Sequence, residues 1–129
     1  MQDKRKELIT YISSNVGPIL TDLIKSDDIT KKVVISSDID KKELCGYYIE
    51  NKYTSPSWYT DLINNNIKIL IIDNIDNISK EEQSKFIEIL KYRKVSTFDI
   101  PKDVIIIVIA KDINKDRINE DLYSLVIHI

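Results

Sequence analysis

Residues 69–83 read ILIIDNIDNISKEEQ. An apolar run ends on Asp73, and a helix start follows near Ser79. A carboxylate at the end of a buried strand is placed to support a divalent cation beside a phosphate chain. Hydrolysis then needs a second carboxylate to accept or orient a proton of the attacking water. The neighbour here is Asn74, and an amide is no base. Asp73 is the single acid left for that chemistry. Its two readings are a metal ligand and a strand-end aspartate that caps the following turn.

Phosphate binding of this kind also needs a loop of glycines, because only glycine lets backbone amides approach the phosphates closely. A lysine must neutralise the terminal phosphates, and a Ser or Thr must hold the cation. The chain has only Gly17 and Gly46, and neither precedes Lys-Ser or Lys-Thr. No G-x-x-x-x-G-K-[ST] can be written. One cysteine, Cys45, and one histidine, His128, make a weak nucleophile–base pair and an improbable zinc site. His128 reads as a packed or edge residue. Neither a catalytic residue nor a cofactor is expected.

The elements that would position Asp73 follow from periodicity. Leu8, Ile12, Val16, Leu20 and Leu23 recur at helical spacing, and Gly17 with Pro18 interrupts the stripe. Residues 1–28 are therefore expected as a helical segment, kinked or in two pieces, packed on the core. Residues 33–35 read as a buried strand. Residues 40–52 read as a helix with Leu44, Tyr48 and Ile49 inward, weakened by Gly46. Pro56 can start a helix over 57–64. Residues 68–73 and 104–110 are apolar throughout, as a strand covered on both faces requires. Ser79 and Glu82 fit a capping box for a helix running to about Lys94. Residues 115–122 read as a short helix and 124–129 as a last strand. Strands alternating with helices predict one α/β domain, a three-layer sandwich on a parallel sheet of about four strands.

Composition bounds the function. The 129 residues suffice for one domain, with 43% hydrophobic and 31% charged content. A net charge of -2 offers no concentrated basic surface for nucleic acid. The basic run Lys4, Arg5 and Lys6 is balanced by Asp3 and Glu7 and reads as a solvated helix start. No apolar stretch reaches the roughly 18–20 residues that span a bilayer. A reduced, cytoplasmic setting is expected, and the wealth of Ile, Asn, Lys and Asp suggests an AT-rich bacterial or mobile-element genome.

Taken together, residues 56–129 resemble the MoxR and dynein-related branch of the AAA+ ATPases, a P-loop NTPase class. The residues that carry the resemblance are Pro56, Trp58, Leu62, Asp73, Asp76, Gln83, Arg93 and Pro101. On this resemblance residues 33–35 take the place of the first strand, 36–40 that of the phosphate loop, and Lys41 or Lys42 that of its lysine. Asp112 falls near the sensor asparagine. The resemblance thus implies a vestigial nucleotide site at Lys41, Asp73 and Asp112, with Asp73 as the vestigial metal ligand. Asp38 and Asp40 would oppose phosphates there. No arginine stands just before the last strand, and the family's lid domain is expected to be absent. The short span from Lys41 to Asp73 implies a lost edge strand and the order 124–129, 33–35, 104–110, 68–73 across the sheet. The expected function is a catalytically inactive, AAA+-like protein-interaction module with a protein partner, regulating or joining an active AAA+ assembly. The alternative is a nucleotide-binding protein with weak or atypical hydrolysis. For the interaction module, Tyr47, Tyr53, Trp58 and Tyr59 are the candidate contacts, with core packing as their other reading. The run KILIIDNID also resembles the phospho-acceptor strand of receiver domains, but it lies mid-chain and Lys111 is not followed by proline.

Overall fold

In chain order the elements are α1 (Lys4–Ser13), β1 (Ile19–Thr21), β2 (Val33–Ser36), α2 (Lys41–Cys45), β3 (Tyr47–Ile49), β4 (Lys52–Thr54), α3 (Ser57–Asn64) and β5 (Ile69–Asp73). Then follow α4 (Lys80–Gln83), α5 (Ile87–Tyr92), β6 (Lys94–Val95), β7 (Phe98–Asp99), β8 (Ile105–Ile109), α6 (Glu120–Tyr123) and β9 (Ile127–His128). This computed structural model describes residues 4–14, 17–114 and 116–129. Val16 on the expected helical stripe, Asp3 in the expected charge balance, and residue 115 of the expected short helix lie outside the described residues.

A five-stranded parallel sheet runs in the order β2-β5-β8-β1-β9. Its central strands are apolar on both faces, and the faces separate by alternation. Leu70, Ile72, Ile106 and Val108 join the larger core with Leu44, Trp58, Leu62, Phe86, Leu90 and Leu122 from the helices. Ile71, Ile107 and Ile109 face the other way, against Ile12, Ile24 and Ile29. Leu8 of α1 packs beside them on Ile19, Ile105 and Ile129. One face thus carries α2 to α6. The other carries α1 and the strap of residues 22–32. Connections that cross a parallel sheet in opposite directions must use opposite faces if their hand is the same. The return from β1 to β2 across β8 and β5 therefore takes the second face.

The strand order differs from the expectation in one decisive respect. Residues 33–36 do not sit beside β9; they form the sheet edge, paired only with β5. The place between β8 and β9 belongs to Ile19–Thr21, inside the segment expected to be helical. What the β1-to-β2 connection lacks is a helix: its only regular turn is the 3-10 piece Ser26–Asp28.

Two hairpins also replace expected structure. Gly46, at φ 83 and ψ 179, ends α2 in backbone space open essentially only to glycine. The chain then folds as the β3–β4 ribbon, turning at Glu50 and Asn51 with φ 49 and 66. Leu44 is inward as expected, but Tyr48 is 69% exposed and Ile49 is exposed too. The second ribbon, β6–β7, follows Arg93, which terminates α5 in the left-handed region. By contrast α3 spans the expected residues, and the Ser79 hydroxyl caps the Glu82 amide at 3.1 Å.

Candidate functional site

The strand ends locate the site. β1 sends its chain across one face towards β2, and β8 sends its chain across the other towards β9. Such a reversal leaves a crevice at the carboxyl ends of the strands, where open α/β sheets bind ligands. A cleft of about 420 Å³ lies there. Ile109 and Ala110 form part of its wall, with Asp22, Lys25, Ser26, Asp27, Asp73 and Lys111 around it. Of the three residues marked on sequence grounds, Asp73 lines the cleft, whereas Lys41 and Asp112 do not.

Each displaced residue has another place. Lys41 opens α2, beyond the edge strand, and is exposed. Asp112 accepts the Asn114 amide at 3.0 Å and lies 3.7 Å from the Arg117 guanidinium. Asp73 makes no side-chain hydrogen bond among the described residues, so it is not the cap of its own turn. The carboxylate that holds backbone here is Asp76, whose two oxygens accept the amides of Lys111 and Asp112 beyond β8, each at 3.1 Å. The two-pronged bond ties the end of β5 to the end of β8. It fixes the cleft wall without leaving Asp76 free for a ligand.

The segment following β1 decides what the cleft can hold. Its residues 22–28, DLIKSDD, contain no glycine. The Leu23 amide is taken by the buried Thr21 hydroxyl at 3.1 Å. The Lys25 amide donates to the Asp28 carboxylate at 2.8 Å, and the Asp28 amide to the Lys25 carbonyl at 3.0 Å. Three of the loop's amides are therefore engaged by the chain itself, one of them by a carboxylate. A phosphate cradle needs those amides free and converging. The three residues of Ser26–Asp28 are also too short to supply a helix dipole. Around the cleft three carboxylates, Asp22, Asp27 and Asp73, outnumber two ammonium groups, Lys25 and Lys111. No group of acids, His or Cys poised to hold a metal occurs among the described residues.

Sequence reasoning missed Asp22, Lys25 and Ser26, because β1 lay hidden in a helix-like spacing. The available signal was a Gly-Pro step, a short apolar run and then an acid, the order that also ends β5.

The remaining polar residues of the sequence pattern serve the framework. The Trp58 indole, nearly buried, donates to the Leu44 carbonyl at 2.9 Å and is core rather than contact surface. Gln83, fully buried, donates to the carbonyls of Ile78 and Arg117 and accepts the Asn119 amide. Arg93 donates to the carbonyls of Pro101 and Val104 at 2.8 and 2.6 Å. Burial lowers the pKa of its guanidinium.

A second feature lies on the two ribbons. Tyr53 meets Tyr48 at 5.3 Å between ring centroids and stacks on Phe98 at 5.5 Å. Phe98 meets Tyr59 at 6.0 Å, and the Tyr59 hydroxyl donates to the Asp99 carbonyl at 2.7 Å. Burial raises the Tyr59 phenol, with Asp99 adding to the rise. The outer rings and side chains, Tyr47, Tyr48, Ile49 and Phe98, remain exposed.

Fold and cleft together define an α/β protein with a parallel five-stranded sheet and an acidic crevice at its switch point. Neither a search of protein-family models nor one of curated proteins finds a match to the chain. No helix among the described residues is long and apolar enough to cross a membrane.

Proposed function

We propose that this chain is an AAA+-like core that has lost its nucleotide site and works as a protein-interaction module, regulating or joining an active AAA+ assembly. The observation that carries the reading is the glycine-free strap that leaves the central strand β1, where a phosphate loop and its helix would stand. The strand order supports it. With Ile19–Thr21 as first strand and Val33–Ser36 as the retained second, the sheet takes the order that the resemblance implies for an intact family core. The ring chain on the two ribbons offers the contact surface, since exposed aromatic side chains supply large apolar area at small entropic cost.

Thermal unfolding with and without Mg-ATP tests the lost site. A ligand that binds only the native state at a hundred times its Kd adds about 2.7 kcal/mol. The midpoint is expected to stay within about 1 °C at millimolar Mg-ATP, and a rise of several degrees would overturn the reading. For the interaction role, the tagged chain is used to recover partners from its source cells. An AAA+ subunit is expected with the native chain and is expected to be lost from a Tyr48→Ser, Phe98→Ser variant.

A second reading draws on one observation. Lys25, Ser26 and Lys111 share the cleft with Asp73, which is a sparse set of phosphate and cation ligands. Weak nucleotide binding there would show in the same titration, as a rise abolished by Lys25→Ala.

A further inference from the structure

The β2 edge of the sheet is open. The Ser37 amide donates to the Asp73 carbonyl at 3.1 Å, so the odd-numbered residues of the strand bond β5 and the even ones point outward. The Ser36 carbonyl is taken by the Ile39 amide at 3.1 Å. The Val34 amide and carbonyl have no partner among the described residues, and its side chain is 40% exposed. Helix α3 packs beside the strand, with Val33 and Trp58 in one core, and a cleft of about 350 Å³ lined by Val34, Ser57 and Asp61 stays open along the edge. No proline or left-handed residue blunts the strand. Such an edge is a template for another strand.

Charge selects the occupant. Lys31 and Lys32 precede the strand, and Asp38 and Asp40 follow it. Two copies laid parallel would set like charges side by side. Two antiparallel copies about Val34 would bring Lys31 and Lys32 of each within a residue or two of Asp38 of the other, the arrangement that favours strand pairing. We propose that a second copy of this chain docks antiparallel on β2, with Val34 at the two-fold axis, making one continuous sheet from two. The two Val34 residues then exchange a reciprocal pair of hydrogen bonds, and each Ser36 amide reaches the Lys32 carbonyl opposite. The Lys32 ammonium already serves the Ser26 carbonyl, which leaves Lys31 as the more available charge.

Sedimentation velocity on the whole chain, from about 5 to about 500 µM, tests this, because a short edge contact gives a weak dimer. Concentration-dependent dimerisation is expected. Val34→Pro removes one outward donor per copy and no bond to β5, a position where an edge strand tolerates proline. It is expected to raise the dimer Kd roughly a hundredfold, about tenfold per bond. If circular dichroism shows that variant unfolded, Lys31→Glu replaces it. That change is expected to weaken the dimer, and adding Asp38→Lys to the same chain is expected to restore it. A monomer throughout the range overturns the proposal. So does a dimer indifferent to these changes, which would lie on another surface, or a double variant that restores nothing.

Discussion

Replacing Gln83 by Ala should cost the protein much of its stability and none of its surface. The side chain is fully buried and makes three hydrogen bonds: to the Ile78 carbonyl at 3.2 Å, to the Arg117 carbonyl at 2.9 Å, and from the Asn119 amide at 2.7 Å. Those bonds hold α4 against the segment that leads into α6. Alanine leaves two carbonyls and one amide without their partner, at about 1–3 kcal/mol for each group that stays dry. Some of these groups will find water, so the expected loss is roughly 3–5 kcal/mol. A domain of this size holds about 5–15 kcal/mol in all. The midpoint of thermal unfolding should fall by roughly 10–20 °C. Gln83→Glu keeps the shape but cannot donate twice, and should lose a comparable amount. Urea titration by circular dichroism gives the free energy, and hydrogen exchange should show the Asn119 amide losing protection. A Gln83→Ala protein within about 1 kcal/mol of the native chain would refute the reasoning, since it would mean these bonds are replaced by solvent at no cost.

Three further substitutions or modifications probe the rest. Asp73→Asn should change stability by less than about 0.5 kcal/mol, with or without magnesium, because the carboxylate has no side-chain partner and shares its cleft with Asp22 and Asp27; a Mg²⁺-dependent midpoint lost in the variant would contradict this. Gly46→Ala should cost roughly 2–3 kcal/mol by urea titration, since a Cβ there would stand 2.4 Å from the Tyr53 hydroxyl and 2.5 Å from the Thr54 carbonyl at φ +83. Cys45 should alkylate slowly at pH 8: burial, then Glu88, raises its thiol above the ordinary value of 9.0, so less thiolate is present than in an unfolded chain. Iodoacetamide labelling with and without urea measures the ratio, and equal rates would count against the folded environment of this residue.

What could be read from sequence depended on length and redundancy. β5 and β8 are five residues each, buried on both faces, and their unbroken apolar runs leave no competing period. Pro56 and Ser79 marked helix starts through chemistry that acts locally, and both held. β1 has only three residues, and Leu8, Ile12, Leu20 and Leu23 fit a helix by accident of spacing. Its one local signal, the Gly-Pro step before a short apolar run and an acid, is weaker than that spacing; its place is fixed by ladders to β8 and β9, far away in sequence. The β3–β4 ribbon was hidden for a related reason. Leu44 and Tyr48 stand four apart, as on a helix, and Glu50 in the left-handed region carries no turn signature. The cleft was half legible: Asp73 was marked by the strand before it, whereas Asp22, Lys25 and Ser26 depended on the strand that was missed.

The fates of the pattern residues separate by the work they do. Trp58, Asp76, Gln83 and Arg93 each satisfy backbone groups across a chain break in the fold. Removing Trp58, Gln83 or Arg93 leaves a buried or part-buried carbonyl without its donor, and the cost falls on folding whatever the protein does; the exposed amides held by Asp76 can turn to water. Residues that would hold a nucleotide carry no such penalty. Glycines of a phosphate loop and a carboxylate base stabilise a ligand, and their replacement can leave the unliganded chain as stable or more so. The strap illustrates the gain. With Thr21 and Asp28 accepting its amides, and Leu23, Ile24 and Ile29 covering the sheet, residues 22–32 bury apolar surface that an open loop would leave wet. The side chains of the strap thus stabilise the second face of the sheet. A variant with glycines at Leu23 and Ile24 should therefore lose stability, by roughly 2–4 kcal/mol, without binding Mg-ATP. Mg-ATP binding by that variant would show that side chains alone keep phosphate from the cleft, and that the backbone course of the strap can cradle it.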